Sequence, residues 1–390
     1  MVTADELLAG PRGRLLCWAV LQVGLADDLR DLPAWPRAWE GLNGGDLSGR
    51  VDALASIVAR TDLASLAASS GTVLEALGWT VDAAGYWGQP GPEDRALASD
   101  AAAEALRPVA AALAASPASR WWDTPVDLAR QRYAQYLDNR PFDEPMLSGA
   151  AGRVAAWVTD TASRESALRG EPEEPLGAWS GEWWSDPALS GLPVTTRALP
   201  GLGAVRLALV EDGLGWKLAR CWPLRPRAGA RIYEVDGPAG WASLVARFPL
   251  EVTRSRRHDW WGATGWAGRW LIPNYQAVAT EYDAVHVSVL GYLTTAGVAV
   301  PVPASSAGAP SAPSVGPTGG EASSGREAPS GSEAPSCGVA PAAGEARTLL
   351  AGWDPDATWW LTDVLAADGP PEDWAADEGG GAGWHLVGTR

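Results

Sequence analysis

The spacing of apolar residues changes once along this chain, between about residues 170 and 190. Before this point apolar residues recur every three or four positions, which predicts helices. After it, short β-branched or alternating segments stand between glycines and prolines, which is typical of strands. The polar stretch Glu171-Pro-Glu-Glu-Pro separates the two patterns. A chain of 390 residues with this change of pattern predicts an α+β fold of about two domains.

The prediction divides the chain into four regions. Residues 303–345 are rich in Ser, Ala, Gly and Pro, and such a segment buries too little apolar surface to offset its ordering entropy. Strand-like sequence resumes beyond it, so we interpret it as an insertion within a domain. The regions are a helical domain (1–175), an α+β domain (176–302 plus 346–368), a disordered loop (303–345) and a loose acidic tail (369–390).

Local signals predict individual elements within these regions. Thr3 with Glu6 and Thr72 with Glu75 have the spacing of capping boxes at helix starts. Further helices are predicted at Thr124–Leu137, Arg153–Leu168, Pro238–Phe248 and Pro273–Tyr282. Strands are predicted at Val194–Leu199, Ala204–Val210 and Arg231–Val235, with the strongest at Asp283–Leu293.

Composition excludes some classes of function. The net charge of −17 would repel a phosphate backbone, so we expect no nucleic-acid partner. No apolar run reaches about 18 residues and the N-terminus carries acid where a signal peptide carries base, so we expect no membrane partner and a cytoplasmic, soluble protein. With 23 Trp against 2 Phe, most Trp rings are expected to fill the core. The three cysteines are widely spaced, which predicts neither disulfides nor a zinc knuckle.

Histidine is scarce enough to direct the search for a site. No dinucleotide fingerprint, phosphate loop or nucleophile elbow is present. Among the three histidines, His385 lies in the glycine-rich tail. His258 follows Arg254, Arg256 and Arg257, a basic cluster in an acidic chain, whereas His286 lies on the strongest predicted strand.

The leading hypothesis is a small-molecule enzyme or ligand-binding protein with an Arg/His/Trp site. Forked arginine cations beside indole rings suit a phosphate- or carboxylate-bearing ligand, including a nucleotide. The expected ligand-binding residues are Arg254, Arg256, Arg257, Trp260, Trp261 and Tyr282, and the expected catalytic residues are His258, His286 and Asp259. Imidazole titrates near neutral pH, so either histidine could transfer a proton. Alternatively, the two histidines hold a metal with a carboxylate such as Asp259 or Asp283. It is also open that His286 is a core histidine bonded to a neighbouring strand, and that the arginines only pair with internal acids.

Two other classes of function stay open. Compact ADP-ribosyltransferases that consume NAD use a basic residue, a hydroxyl residue and a late acid in this chain order. Arg197, Ser288 and Asp356 occur in that order, although the late residue is Asp where Glu is usual. Only this alternative implies a cofactor, NAD. The third class is a non-catalytic interaction protein, whose partner is another protein.

Several stretches resemble those of uncharacterised Trp-rich proteins of high-GC actinobacterial type. They are Leu8-Ala-Gly-Pro-Arg-Gly-Arg, Val210-Glu-Asp-Gly-Leu-Gly-Trp, Arg231-Ile-Tyr-Glu-Val, Arg256-Arg-His-Asp-Trp, Tyr282-Asp-Ala-Val-His and Gly352-Trp-Asp-Pro-Asp-Ala-Thr-Trp-Trp-Leu. The resemblance touches both halves of the chain and implies no particular activity.

Overall fold

The computed structural model describes residues 1–25, 47–137, 142–170, 181–211, 213–303, 345–377 and 383–388. Helices and mixed sheets alternate over these residues, so the α+β fold is confirmed. The boundary predicted near residue 175, and the loop predicted at 303–345 except for its ends, lie outside the described residues, as does Cys337. Cys17 and Cys221 are buried free thiols.

Helices predominate in the N-terminal part and recur between the strands. They are α1 (Ala4–Ala9), α2 (Pro11–Gly24), α3 (Leu47–Arg60), α4 (Leu63–Ala68), α5 (Ser70–Asp82), α6 (Pro92–Leu97), α7 (Asp100–Ala115), α8 (Ala150–Ala167), α9 (Pro238–Arg247), α10 (Thr253–Thr264), α11 (Tyr275–Val278) and α12 (Val289–Thr295). Thr3 and Glu6 form the predicted capping box. The second predicted box is wrong, because Ser69 caps α5 and accepts the hydrogen bond of the Thr72 N–H.

The strands form a large mixed sheet and a smaller one. They are β1 (Gln131–Tyr136), β2 (Val194–Arg197), β3 (Leu218–Pro226), β4 (Ile232–Val235), β5 (Pro249–Glu251), β6 (Arg269–Pro273), β7 (Ala284–Val287), β8 (Val300–Pro301), β9 (Ala346–Thr348), β10 (Thr358–Trp360), β11 (Leu365–Ala367), β12 (Glu372–Ala376) and β13 (Trp384–Leu386). The large sheet has the order β13-β12-β3-β1-β2-β10-β7-β4, with β11 also on β3, and the small sheet has the order β5-β6-β9-β8.

The helix predicted at Thr124–Leu137 is wrong. Residues Gln131–Tyr136 form β1, which lies between β2 and β3 in the large sheet. Tyr133 faces both Thr195 and Trp222 in this register, and the rings of Tyr133 and Trp222 lie 5.7 Å apart. Long-range pairing and the preference of tyrosine for strands therefore override the local helical spacing.

Two predicted strands also need correction. The segment predicted as a strand at Ala204–Val210 contains a 3-10 helix at Val205–Leu207. The strand predicted at Asp283–Leu293 ends at Val287, because the Ser288 hydroxyl accepts the Gly291 N–H at 2.9 Å and caps α12. Glycine is required at 291 because a Cβ there would lie 2.2 Å from the Val235 carbonyl oxygen. Ser288 therefore lies beyond the strand that carries His286.

The loose tail predicted at 369–390 is wrong for the described residues. Strand β12 pairs with β3, and β13 pairs with β12. The buried Trp374 ring packs with Ala219 and Cys221 of β3. Apolar side chains, although few, therefore hold this acidic segment at the edge of the sheet.

One hydrophobic core crosses the predicted domain boundary. The same cluster of buried side chains includes Leu7 and Leu16 of the N-terminal helices, Val287 of β7 and Trp353. Helices α1 and α2 contact α12, which follows β7. The fully buried rings include Trp18, Trp122, Trp241, Trp260, Trp270, Trp353 and Trp360. Tryptophan thus fills the core, as predicted.

Candidate functional site

The ends of three strands meet at one edge of the large sheet. Strand β7 is parallel to β4, and β10 runs antiparallel to both β7 and β2. The carboxyl ends of β2, β4 and β7 therefore lie together, beside the start of β10. In open α/β sheets this edge is where ligands most often bind. We name the polar group placed here, Arg197, Glu234, His286 and Asp356, the edge network.

Asp356 occupies the centre of the edge network in an unusual backbone conformation. Pro355 and Asp356 are the middle residues of a turn in which the Ala357 N–H donates to the Asp354 carbonyl, and φ at Asp356 is 62°. A positive φ disfavours most side chains, although Asp and Asn tolerate it best after glycine. The turn directs the Asp356 carboxylate at Arg197, whose backbone N and Nε donate to it at 2.8 and 2.6 Å.

All three nitrogens of the Arg197 guanidinium donate to protein atoms. Its Nη1 donates to the Thr124 hydroxyl at 2.8 Å and its Nη2 to the Pro125 carbonyl at 3.1 Å. Its guanidinium also lies over the Trp121 ring, 5.2 Å from the centroid. Through these contacts Arg197 anchors the segment from Trp121 to Pro125 over the sheet edge.

His286 lies between two carboxylates. Its Nδ1 is 2.5 Å from Glu234 Oε2, and its Nε2 is 3.4 Å from Asp356 Oδ1. Burial lowers the pKa of His286, but the hydrogen bonds and charges of Asp356 and Glu234 outweigh it and leave the pKa raised. When His286 is protonated, the positive charges of Arg197 and His286 balance the negative charges of Glu234 and Asp356.

This balance predicts a pH-dependent contribution to stability. Since the folded pKa of His286 is raised, its stabilisation is complete below the unfolded pKa of about 6.5 and disappears as pH rises through the folded pKa. Urea unfolding of the protein and of His286→Asn, measured from about pH 6 to about pH 9, should give a stability difference that shrinks towards high pH. Subtracting the variant cancels other titrating groups, so a constant difference would contradict protonation of His286.

A second buried polar group adjoins the edge network. Glu211 Oε1 accepts the hydroxyls of Tyr86 and Tyr292 at 3.0 Å each, and its Oε2 accepts the Gly352 N–H at 2.9 Å. The Glu211 N–H donates to Asp354 at 2.9 Å. Burial is the main cause that raises the pKa of Glu211 well above its ordinary value, and the negative charge of Asp354 adds to it. The hydrogen bonds from the tyrosine hydroxyls lower this pKa but do not outweigh the increase. We name Tyr86, Glu211, Tyr292 and Asp354 the Glu211 network.

The residues of the leading hypothesis do not form one site. Arg254, Arg256, Arg257, His258, Asp259, Trp260 and Trp261 all lie on α10, which packs against α8 and β6. His286 instead belongs to the edge network, and the Tyr282 hydroxyl accepts a hydrogen bond from Arg247 at 2.9 Å. The nine predicted residues therefore divide among three places.

Two of the predicted binding residues, Arg256 and Trp260, are buried and bond to other parts of the protein. Arg256 is buried, pairs with Glu182 and donates from Nε to the Trp184 carbonyl at 3.2 Å. Burial lowers its pKa to about 10. Trp260 is also buried, and its Nε1 donates to the Trp183 carbonyl at 2.7 Å. Arg256 therefore pairs internally and Trp260 packs in the core, as the alternatives to a binding site describe.

Arg254 and Arg257 do line a cleft, of about 630 Å³. It lies between the carboxyl end of α8, the start of α10 and β6. Two more arginines, Arg169 and Arg269, line it, as do the carboxylates of Glu165 and Glu251. Neither His258 nor His286 lines it. We name it the arginine cleft.

Glu211 and Glu234 were not among the site residues predicted from the sequence, although the sequence around each of them is informative. Each is an acid in or beside an apolar segment that was predicted as a strand. A charged side chain in a buried strand requires a partner, so these acids pointed to a polar interior. Asp354 and Asp356 share the stretch Trp353-Asp-Pro-Asp, whose turn holds the two networks together.

Comparison with protein-family models, curated proteins and solved structures gave no match for this chain. Over the described ranges, no helix combines the length and apolar character needed to cross a membrane. The same ranges contain no cluster of three His, Cys, Asp or Glu side chains arranged to hold a metal ion. His286 meets Glu234 and Asp356, whereas His258 and Asp259 lie on α10, so the two histidines do not converge on one carboxylate.

Proposed function

We propose that this protein binds a small anionic molecule in the arginine cleft. The observation that carries this proposal is the lining: among the described residues, four arginines stand against two glutamates around about 630 Å³, in a chain of net charge −17. Arginine forks match carboxylate and phosphate oxygens, and a local excess of cations attracts anions into a concave site.

The two glutamates of the cleft are engaged by neighbouring groups. Glu165 accepts the backbone N–H groups of Arg254 and Ser255 at 2.8 to 3.0 Å, at the start of α10. Glu251 pairs with Arg269 at 2.6 Å. Arg254 itself donates to the carbonyl oxygens of Leu168 and Arg169, which are neutral, so the described lining keeps an excess of positive charge that favours an anion.

The contacts of the tryptophans restrict the class of ligand. Trp260 is buried in the core, and neither Trp260 nor Trp261 lines the cleft. Stacking of a nucleobase on these rings therefore has no support. We propose a ligand bound through its phosphate or carboxylate groups, such as a polyphosphate or a di- or tricarboxylate.

The test is calorimetric titration with pyrophosphate, citrate and ADP. Arg254→Ala and Arg269→Ala should each weaken binding of the best ligand by about tenfold or more, because a hydrogen bond to a charged group contributes about 1.5 to 3 kcal/mol. Binding should also weaken as salt is added.

The control is Arg225→Ala, which removes an exposed arginine paired with Asp368, outside the cleft. This variant should bind as the parent protein does. Failure of pyrophosphate, citrate and ADP all to bind, or equal affinities in the three variants, would remove the proposal.

The other hypotheses from the sequence concern residues of the edge network and of α10. A catalytic role of His258, His286 or Asp259 stays a prediction, as do a cytoplasmic location and the interaction-protein alternative. The transferase alternative has less support, because Arg197 and Asp356 bind each other and Ser288 caps α12. Each of these three residues is at most 4% exposed, so none of them offers a surface on which NAD could lie.

A further inference from the structure

A separate cavity of about 400 Å³ lies between α5, the start of β3 and the β12–β13 hairpin. Four aromatic residues line it: Trp79, Tyr136, Trp216 and Trp384. The Tyr136 and Trp216 rings are stacked, with centroids 4.4 Å apart and planes at 14°. Trp384 is inclined to Tyr136 at 52°, with centroids 6.1 Å apart. We name this cavity the aromatic pocket.

The charged residues of the aromatic pocket are mostly acidic. Among the described lining residues, Glu75, Asp82 and Asp377 are acidic and Lys217 alone is basic. Asp82 accepts the Gly213 N–H at 2.6 Å, which holds its carboxylate at the wall of the pocket. Aromatic faces carry negative electrostatic potential, so rings and carboxylates here favour the same kind of guest, a cation.

An apolar cavity adjoins the aromatic pocket. It has a volume of about 470 Å³ and shares Asp377 and Trp384 with the pocket. Leu74, Leu77 and Trp122 contribute to its wall. A ligand that filled both spaces would place a charged head beside the rings and acids and an apolar tail beside the leucines.

We propose that the aromatic pocket and its apolar neighbour bind an organic cation with an apolar body, such as an alkylated ammonium compound. Charge complementarity selects a cation over an anion, and the rings select a large, weakly hydrated cation over a metal ion. The inference is independent of the arginine cleft, because the two sites share no lining residue.

The test compares ligands that differ in charge or in tail. Calorimetric titration with hexyltrimethylammonium should give one site per chain and an affinity at least about tenfold higher than that of 1-hexanol, which lacks the charge, or tetramethylammonium, which lacks the tail. Equal binding of hexanol would overturn the assignment of a cation. The absence of measurable binding of hexyltrimethylammonium would overturn the site altogether.

Variants locate the binding within the fold. Trp79→Ala removes a ring of the pocket that is 37% exposed, and Trp87→Ala removes one outside it that is 41% exposed, so the two are matched. Trp79→Ala and Glu75→Gln should each weaken binding of hexyltrimethylammonium about five- to tenfold, with recovery in Trp79→Phe. Trp87→Ala should leave it unchanged. Equal losses in Trp79→Ala and Trp87→Ala would overturn the location.

Discussion

Asp356→Ala is expected to lower the free energy of unfolding by about 3 to 5 kcal/mol, because it leaves a buried arginine without its counterion. The side chains of Arg197 and Asp356 are 5% and 2% exposed, so water cannot replace the lost carboxylate. The same change removes the acceptor of the Arg197 backbone N–H and one of the two carboxylates beside His286.

Related variants separate charge from backbone conformation. Asp356→Gly removes the same carboxylate but suits the positive φ, so it should be less destabilising than Asp356→Ala by about 1 kcal/mol. The double variant Asp356→Ala with Arg197→Met has no unpaired charge at this site. Its loss in the free energy of unfolding should therefore be smaller than the sum of the losses in Asp356→Ala and Arg197→Met. Urea unfolding gives all four values.

The control for the edge network is an exposed pair of the same chemistry. Arg220 donates to Asp373 from Nε and Nη2 at 2.6 and 2.9 Å, and the two side chains are 33% and 46% exposed. Asp373→Ala should therefore cost at most about 1 kcal/mol. A similar loss in Asp356→Ala would show that the edge network contributes little to stability.

Local signals predicted correctly some of the elements that local interactions form. The cap at Thr3 and the helix predicted at Arg153–Leu168 depend on residues three or four positions apart, and both are observed, the latter as α8. Strand β12 depends instead on β3, about 150 positions away, where Glu372 faces Cys221. Its sequence, rich in acid, contains no local sign of that partner.

The sequence identified several residues of the candidate sites but did not predict which of them are in contact. Arg197, His286 and Asp356 were each singled out, yet His286 was assigned to one hypothesis and the other two to another. Their contact follows from the order of β2, β10 and β7 in the sheet, which local periodicity does not specify. Similarly, the arginine cluster was visible in the sequence, but helical geometry directs Arg256 inward and Arg254 towards the cleft.

Glu211→Ala is expected to destabilise the protein by about 3 to 5 kcal/mol, since three donors, two of them buried and one half-buried, lose their acceptor at once. These donors are the hydroxyls of Tyr86 and Tyr292 and the Gly352 N–H. Tyr86 precedes α6, Tyr292 belongs to α12 and Gly352 precedes β10, so one carboxylate joins three segments distant in sequence. The free energy of unfolding in urea is the measurement.

Glu211→Gln tests the directions of these hydrogen bonds. Its amide oxygen can still accept from Tyr86 and Tyr292, but its amide N–H groups would face the Gly352 N–H, another donor. We expect a loss of about 1 to 3 kcal/mol, less than that of Glu211→Ala. Glu144→Ala, an exposed acid, should change stability by at most about 0.5 kcal/mol. Equal stability of Glu211→Ala and Glu144→Ala would contradict the role of Glu211 as the shared acceptor, because every donor it now binds would then satisfy itself elsewhere.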